Sequence, residues 1–171
     1  MVATYKAVAG AVAYASSKDM LNVFNGGTAT RITRVYRCYH FNNGIAAVTG
    51  VLTTMQIRRI TAATGGTTIS AIKFDSNSSN LEAAHSSGTN QTVTGSDIFR
   101  RYLWSNDEPT INTATQDEWE VLVPFAEVWN AGYADSNVEP LVCRANQGVE
   151  IFHSGSSAVG TADFEIEFTN A

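Results

Sequence analysis

The residues able to carry chemistry are few and widely spaced. His40, His85 and His153 could in principle gather around a metal ion. However, His40 and His153 close apolar runs and His85 sits in a polar stretch, so they read as strand-end or surface histidines. The run Asp75-Ser76-Asn77-Ser78-Ser79 places oxygens at alternate positions as a calcium loop does. Asn80 then stands where that loop needs Gly, and Ser86 where it needs a bidentate Glu. Asp107-Glu108 and Asp117-Glu118-Trp119-Glu120 could bind a divalent ion or act as paired carboxylates. Paired-carboxylate hydrolysis needs two acids set across a cleft, and these clusters read as solvated loop or interface acids. No G-x-S-x-G elbow, H-E-x-x-H or G-x-x-x-x-G-K-[ST] occurs, which leaves elbow hydrolases, zincins and P-loop enzymes without support. Cys38 and Cys143 show no C-x-x-C spacing and read as reduced, buried small hydrophobes, with a disulfide between distant strands or subunits as the alternative. The expectation is a chain that is not an enzyme and carries no cofactor and no metal.

Charge is more informative than any motif. Residues 1–105 hold ten Lys/Arg against four acids, a balance of +6, whereas residues 106–171 hold Arg144 against twelve acids, a balance of −11. The cations include the doublets Arg58-Arg59 and Arg100-Arg101 inside predicted strands. Neighbouring strand residues point to opposite faces, so one member of each doublet should aim at the other sheet, an edge or a neighbouring subunit. Arginine suits such positions because its planar fork binds carboxylate bidentately and is weakly hydrated. Glu165 and Glu167 are the expected carboxylate partners, across strands or across an interface. Trp104 and Trp119 bound apolar strands and read as core or subunit interface, with a sugar-stacking platform as the alternative.

The elements that must position these residues are strands. The chain has 171 residues, 44% hydrophobic and 16% charged, with net charge −5 and pI near 5.1. That is one domain's worth of ordered chain. The acidic balance disfavours nucleic-acid binding, and no run approaches the roughly 18 apolar residues of a membrane-spanning helix. Period-2 alternation in short runs between Gly, Asn, Ser and Thr clusters is the grammar of an all-β fold, a single antiparallel β-sandwich. The predicted strands are 5–14, 20–24, 31–41, 48–60, 67–74, 92–104, 119–123, 140–144, 149–153 and 162–169. In the last, Phe164, Ile166 and Phe168 face a core while Asp163, Glu165 and Glu167 face away. In the run from Arg31, Ile32, Arg34, Tyr36 and Cys38 share one face and Arg31, Val35, Arg37 and Tyr39 the other. The stretches 75–91 and 105–118 read as long functional or interface loops. In 124–139, Phe125, Val128, Trp129 and Tyr133 are spaced by three and four, which predicts one or two short helical turns.

Lys6 followed by AVAGAVAYA imitates a secretory signal but lacks leucine, and reads as a retained strand, with no signal peptide. Residues 1–30 are expected as an N-terminal strand or arm ahead of a sandwich at 31–171. The phrases VTGVLTTMQIRRITAATGGTTISAIKF (48–74), IFRRYLWSNDEP (98–109), VPFAEVWNAGYADSNVEPLVCRANQGVEIF (123–152) and AVGTADFEIEFT (158–169) resemble a group of small β-sandwich virion proteins of tailed bacteriophages. The resemblance covers about Arg31 to Thr169. It implies a jelly-roll-like module on a capsid or tail, made in the host cytoplasm, commonly as a symmetric oligomer. Its implied partners are itself, with a head-to-tail trimer as the expected number, and the major capsid protein or a neighbouring virion protein. The expected role is a capsid decoration, cement or head-fibre component, with a receptor- or carbohydrate-binding module as the alternative. The expected interface residues are Arg58, Arg59, Arg100, Arg101, Glu165, Glu167, Trp104 and Trp119.

Overall fold

The computed structural model describes residues 2–42, 52–105, 125–131, 139–156 and 160–171. The strands among them are β1 (Thr4–Ala13), β2 (Lys18–Asn25), β3 (Thr33–Asn42), β4 (Leu52–Thr64), β5 (Thr67–Thr68) and β6 (Ile72–Lys73). They continue with β7 (His85–Thr89), β8 (Thr92–Ser105), β9 (Phe125–Asn130), β10 (Leu141–Cys143), β11 (Gln147–His153) and β12 (Thr161–Asn170). One sheet runs β10-β3-β12-β1-β6, with β9 also pairing β3, and the second runs β5-β7-β2-β11-β4-β8. Every strand pair is antiparallel. The long strands interleave as β1-β12-β3-β9 in the first sheet and β2-β11-β4-β8 in the second, which is jelly-roll connectivity.

The layer between the sheets explains why an alanine-rich segment forms a strand. Ala7 and Ala9 point inward from β1, opposite Ile166 and Phe164 in register, and Tyr5 stacks on Phe168 at 5.7 Å. Small side chains on one strand make room for the large ones on its neighbour, so burial overrides the helix preference of alanine. From the second sheet Leu21, Val23, Met55, Ile57, Val149 and Ile151 complete the core, all fully buried.

Bulges reset the alternation in β1, β2, β3 and β9 and along the β4–β8 pair. On β3, Glu167 pairs Arg37 but Phe168 pairs Val35, which leaves Tyr36 as the extra residue. Val35 and Cys38 therefore both reach the core, whereas strict alternation had placed them on opposite faces. On β9, Val128 is extra between Glu127, opposite Tyr39, and Trp129, opposite Cys38. Residues 125–130 are thus strand, not the expected helical turn. A bulge shifts period 2 by one residue, and the shift mimics helical spacing at Phe125, Val128 and Trp129. Met20 is the extra residue on β2, and the shift on β1 falls at Gly10 and Ala11, where Ala11 has φ 52°.

The segment 1–30, expected as a strand or arm ahead of the sandwich, supplies β1 and β2, one interior strand to each sheet. Of the stretch 75–91, residues 85–89 form β7 against β2. The rest is tied down: Glu82 accepts from Thr30 N (2.8 Å), Thr30 Oγ1 (2.7 Å) and Arg31 N (3.0 Å). The expected strand 119–123, the loop from 106 to 118, Tyr133 and the acid clusters at Asp107 and Asp117 lie outside the described residues.

Candidate functional site

The arginine doublets split as adjacent strand residues must. Arg59 turns toward the first sheet, where Nη1 donates to the Val142 carbonyl of β10 at 2.8 Å and the guanidinium lies 5.2 Å from the Phe99 ring. Arg100 does the same from β8, with Nη1 donating to the Val128 carbonyl of β9 at 2.8 Å. These two arginines pin the sheets together along one side of the sandwich. Their doublet partners face outward and differ from each other. Arg58 packs flat over Phe152, 3.4 Å from the ring centroid, and its Nε donates to Glu150. Arg101 is exposed and has no hydrogen-bond or ion-pair partner among the described residues.

Glu165 and Glu167 project from the outer face of the first sheet, where one lysine serves both. Lys6 Nζ lies 2.8 Å from Glu165 and 3.2 Å from Glu167. Burial pulls the Lys6 pKa down, but the two carboxylates outweigh it and hold the ammonium above its ordinary range. Arg37 pairs Glu167 in register and lies 3.5 Å from Glu127, so cation and anion alternate across β1, β12, β3 and β9. None of the doublet arginines takes part in this row. The acids it uses are satisfied within the chain.

Trp104 is interior, stacked on His40 at 4.0 Å, and its Nε1 donates to Asn42 Oδ1 at 2.7 Å. Tyr14 Oη sits 2.8 Å from His40 Nε2. At the other end of the sandwich, His85 stacks on Phe168 and joins Asn25 (3.0 Å) and Thr33 (3.2 Å), while Asn170 Nδ2 donates to Thr33 Oγ1. Burial depresses both imidazoles, His40 to about 3 and His85 to about 4, so both are neutral at pH 7. His153 Nδ1 donates to the Ala15 carbonyl at 2.6 Å. His40 and His153 thus flank the same Tyr14, whose ring lies 5.5 Å edge-on from that of His153, and His85 stands apart from both. In the calcium-like stretch, the Ser78 and Ser79 carbonyls accept from Lys73 Nζ and Tyr5 Oη, both at 2.7 Å. Cys38 and Cys143 are free thiols in the core; burial pushes both upward, Cys143 to about 12.

Sequence reasoning missed a buried polar cluster on the outer face of the second sheet. Asp19, Asn22 and Glu150 are at most 2% exposed, beneath the connection from β7 to β8. Its one legible sign is that Glu150 stands as the only charge in the apolar run Val149-Glu150-Ile151-Phe152.

Among the described residues, the surface left without cover lies at the far edge of the same sheet. Thr53 and Trp104 point inward, so Leu52 and Leu103 point outward, diagonal neighbours across β4 and β8 that are each 63% exposed. Arg101 follows on the same face, and Ile98 adds a further exposed apolar group. β8 is the last strand of its sheet, while the opposite edge, β5, is only two residues long. Trp119 lies outside the described residues. No protein-family model, no curated protein and no solved structure matches the chain. Its class therefore rests on its own geometry, an antiparallel jelly-roll sandwich with an apolar strip along its longest edge strand.

Proposed function

We propose that the chain is a non-enzymatic structural protein of a virion, a capsid decoration, cement or head-fibre component that associates with its own copies and with an assembled shell. The observation that carries this reading is exposed Leu103 on the fourteen-residue edge strand β8, with Leu52 of β4 beside it and Arg101 without a partner among the described residues. Long edge strands with exposed apolar side chains are normally charged, shortened or covered, and a neighbouring subunit is one such cover. The histidines and most of the arginines are consumed in holding the sandwich together, which fits a scaffold better than a catalyst. The resemblance of its phrases to those of small phage virion proteins suggests the setting.

Because the carboxylates of Glu165 and Glu167 are engaged by Lys6, contact between copies falls on the apolar strip. Light scattering of the purified chain should then give an oligomer, a trimer by expectation, whose mass is unchanged between low and high salt. Leu103→Asp should convert it to a monomer with an unaltered far-ultraviolet spectrum. A wild-type monomer at every concentration would overturn self-association through β8.

One observation favours a second reading, a carbohydrate-binding module. Half-exposed Tyr39 and Phe74, the latter 57% exposed, flank Lys6 on the outer face of the first sheet, with Nζ 5.8 Å from each ring centroid. Aromatic faces beside charged hydrogen-bonding groups suit sugar rings. A glycan array probed with the wild type and Phe74→Ala separates the readings: binding lost in the variant supports the module, and an empty array removes it.

A further inference from the structure

The Asp19–Glu150 cluster holds more negative charge than its fixed partners balance. Asp19 Oδ2 accepts from Asn22 Nδ2 at 2.8 Å and from Gln91 N at 3.1 Å. Glu150 Oε1 accepts from Arg58 Nε. The second oxygen of each carboxyl, Asp19 Oδ1 and Glu150 Oε2, is buried without a hydrogen-bond donor among the described residues. Asn22 links the two side chains: it pairs Glu150 in register and donates to Asp19. Two carboxylates cannot donate to one another, and a buried carboxylate oxygen left without a donor loses its hydration with nothing in return.

A single proton accounts for the two carboxyl oxygens, while Asn22 Oδ1, also buried without a donor among the described residues, keeps its place beside them. Held between the two carboxyls, it supplies the one donor that a pair of carboxylates lacks. It also leaves one carboxylate to balance Arg58. The other groups facing the pair are few. From β2, Lys18 is the adjacent cation, and its Nζ is held on the Ala13 carbonyl at 2.6 Å. Arg58 comes from β4, where Gly95 of β8 leaves no room for even a methyl group beside the guanidinium. β7 offers Gly88, opposite Asn22 in register, and the connection to β8 offers Asn90 and Gln91, none of them charged. Burial raises both acids, which favours one proton held between them over two full charges.

The same acid fastens the chain that crosses over it. Asn90 N donates to the Asp19 carbonyl at 2.9 Å, Gln91 N donates to its side chain, and Asn22 Nδ2 donates to Gln91 Oε1 at 2.9 Å. Asn90 has φ 53°, a left-handed turn that this latch must hold. We propose that Asp19 and Glu150 share one proton that latches the Asn90–Gln91 crossing onto the sheet, and that alkaline loss of this proton releases the crossing. The β8 edge itself starts at Thr92, so release loosens the beginning of the exposed strand.

The test is backbone hydrogen exchange of the full chain, expressed as protection relative to an unfolded amide, at pH 6.5 and pH 9.5. Protection at Asn90 and Gln91 should fall about tenfold per pH unit above the upper titration, while core amides such as Ile151 keep theirs. Glu150→Gln supplies a permanent donor in place of the proton, and should hold the protection at these two amides equal at both pH values. Asp19→Asn serves as the second variant, with an amide donor on the opposite partner and the same flat response expected. Protection in the wild type that does not change with pH would overturn the shared proton. So would a Glu150→Gln protein that opens as the wild type does. Loss of protection on adding a chelator at pH 6.5 would overturn it in favour of a bound cation.

Discussion

His40 enters the folded chain neutral, because burial between Trp104 and Phe164 depresses its imidazole to about 3, against about 6.5 in an unfolded chain. Between those values the unfolded state binds more protons, so the contribution of His40 is complete above about pH 6.5 and is lost as pH falls toward 3. His85, depressed to about 4, has the same sign. Urea unfolding from pH 7 to pH 4.5 should show falling stability, with a shallower slope in His40→Gln, which keeps a group for the Tyr14 hydroxyl but does not titrate. The two turn glycines separate conformation from space. Gly65 has φ 70° with nothing near its absent side chain, so Gly65→Ala should cost about 1 kcal/mol. Gly66 has φ 67° and a methyl there would strike the Thr89 and Asn90 carbonyls, so Gly66→Ala should cost several times more in the same assay. At this scale the sequence reveals residue type and conceals company. The histidines were visible, but Tyr14, Trp104 and Phe164 reach His40 from other strands, and nothing in local spacing brings Asp19 to Glu150.

The strands β4 and β8 owe their attachment to the first sheet partly to Arg59 and Arg100, each of which ends on a main-chain carbonyl of that sheet. Arg59→Met and Arg100→Met keep much of the aliphatic stem and lose the donor; each should cost about 1–3 kcal/mol in denaturant midpoints. Trp104→Ala should cost about 3–5 kcal/mol, since it removes the ring that stacks on His40. Alternation makes β1, β2, β4, β8, β11 and β12 readable to within a few residues, because each has one face against the core. β7 was unreadable: His85-Ser86-Ser87-Gly88-Thr89 has no apolar residue and is a strand only by its backbone bonds to β2. β9 was misread as helix because the bulge at Val128 converts its period. A single inserted residue is invisible to a pattern that assumes none.

Across the described part of the molecule, four of the late acids meet early cations inside one chain, through Lys6 with Glu165 and Glu167, Arg37 with Glu127, and Arg58 with Glu150. Removing residues 1–18 would take β1 out of the middle of its sheet, and circular dichroism of that fragment should show no cooperative unfolding transition. Most pairings join distant parts of the sequence, so refolding from urea should be slow, in the range of milliseconds to seconds. β12 lies between β1 and β3 and is the last strand of the sequence. During synthesis on the ribosome, β1 and β3 must therefore wait with unpaired edges until Asn170 has cleared the exit tunnel. A nascent chain in that state is exposed to chaperones and to neighbouring copies, and a translational pause just before Thr161 would lengthen the hazard.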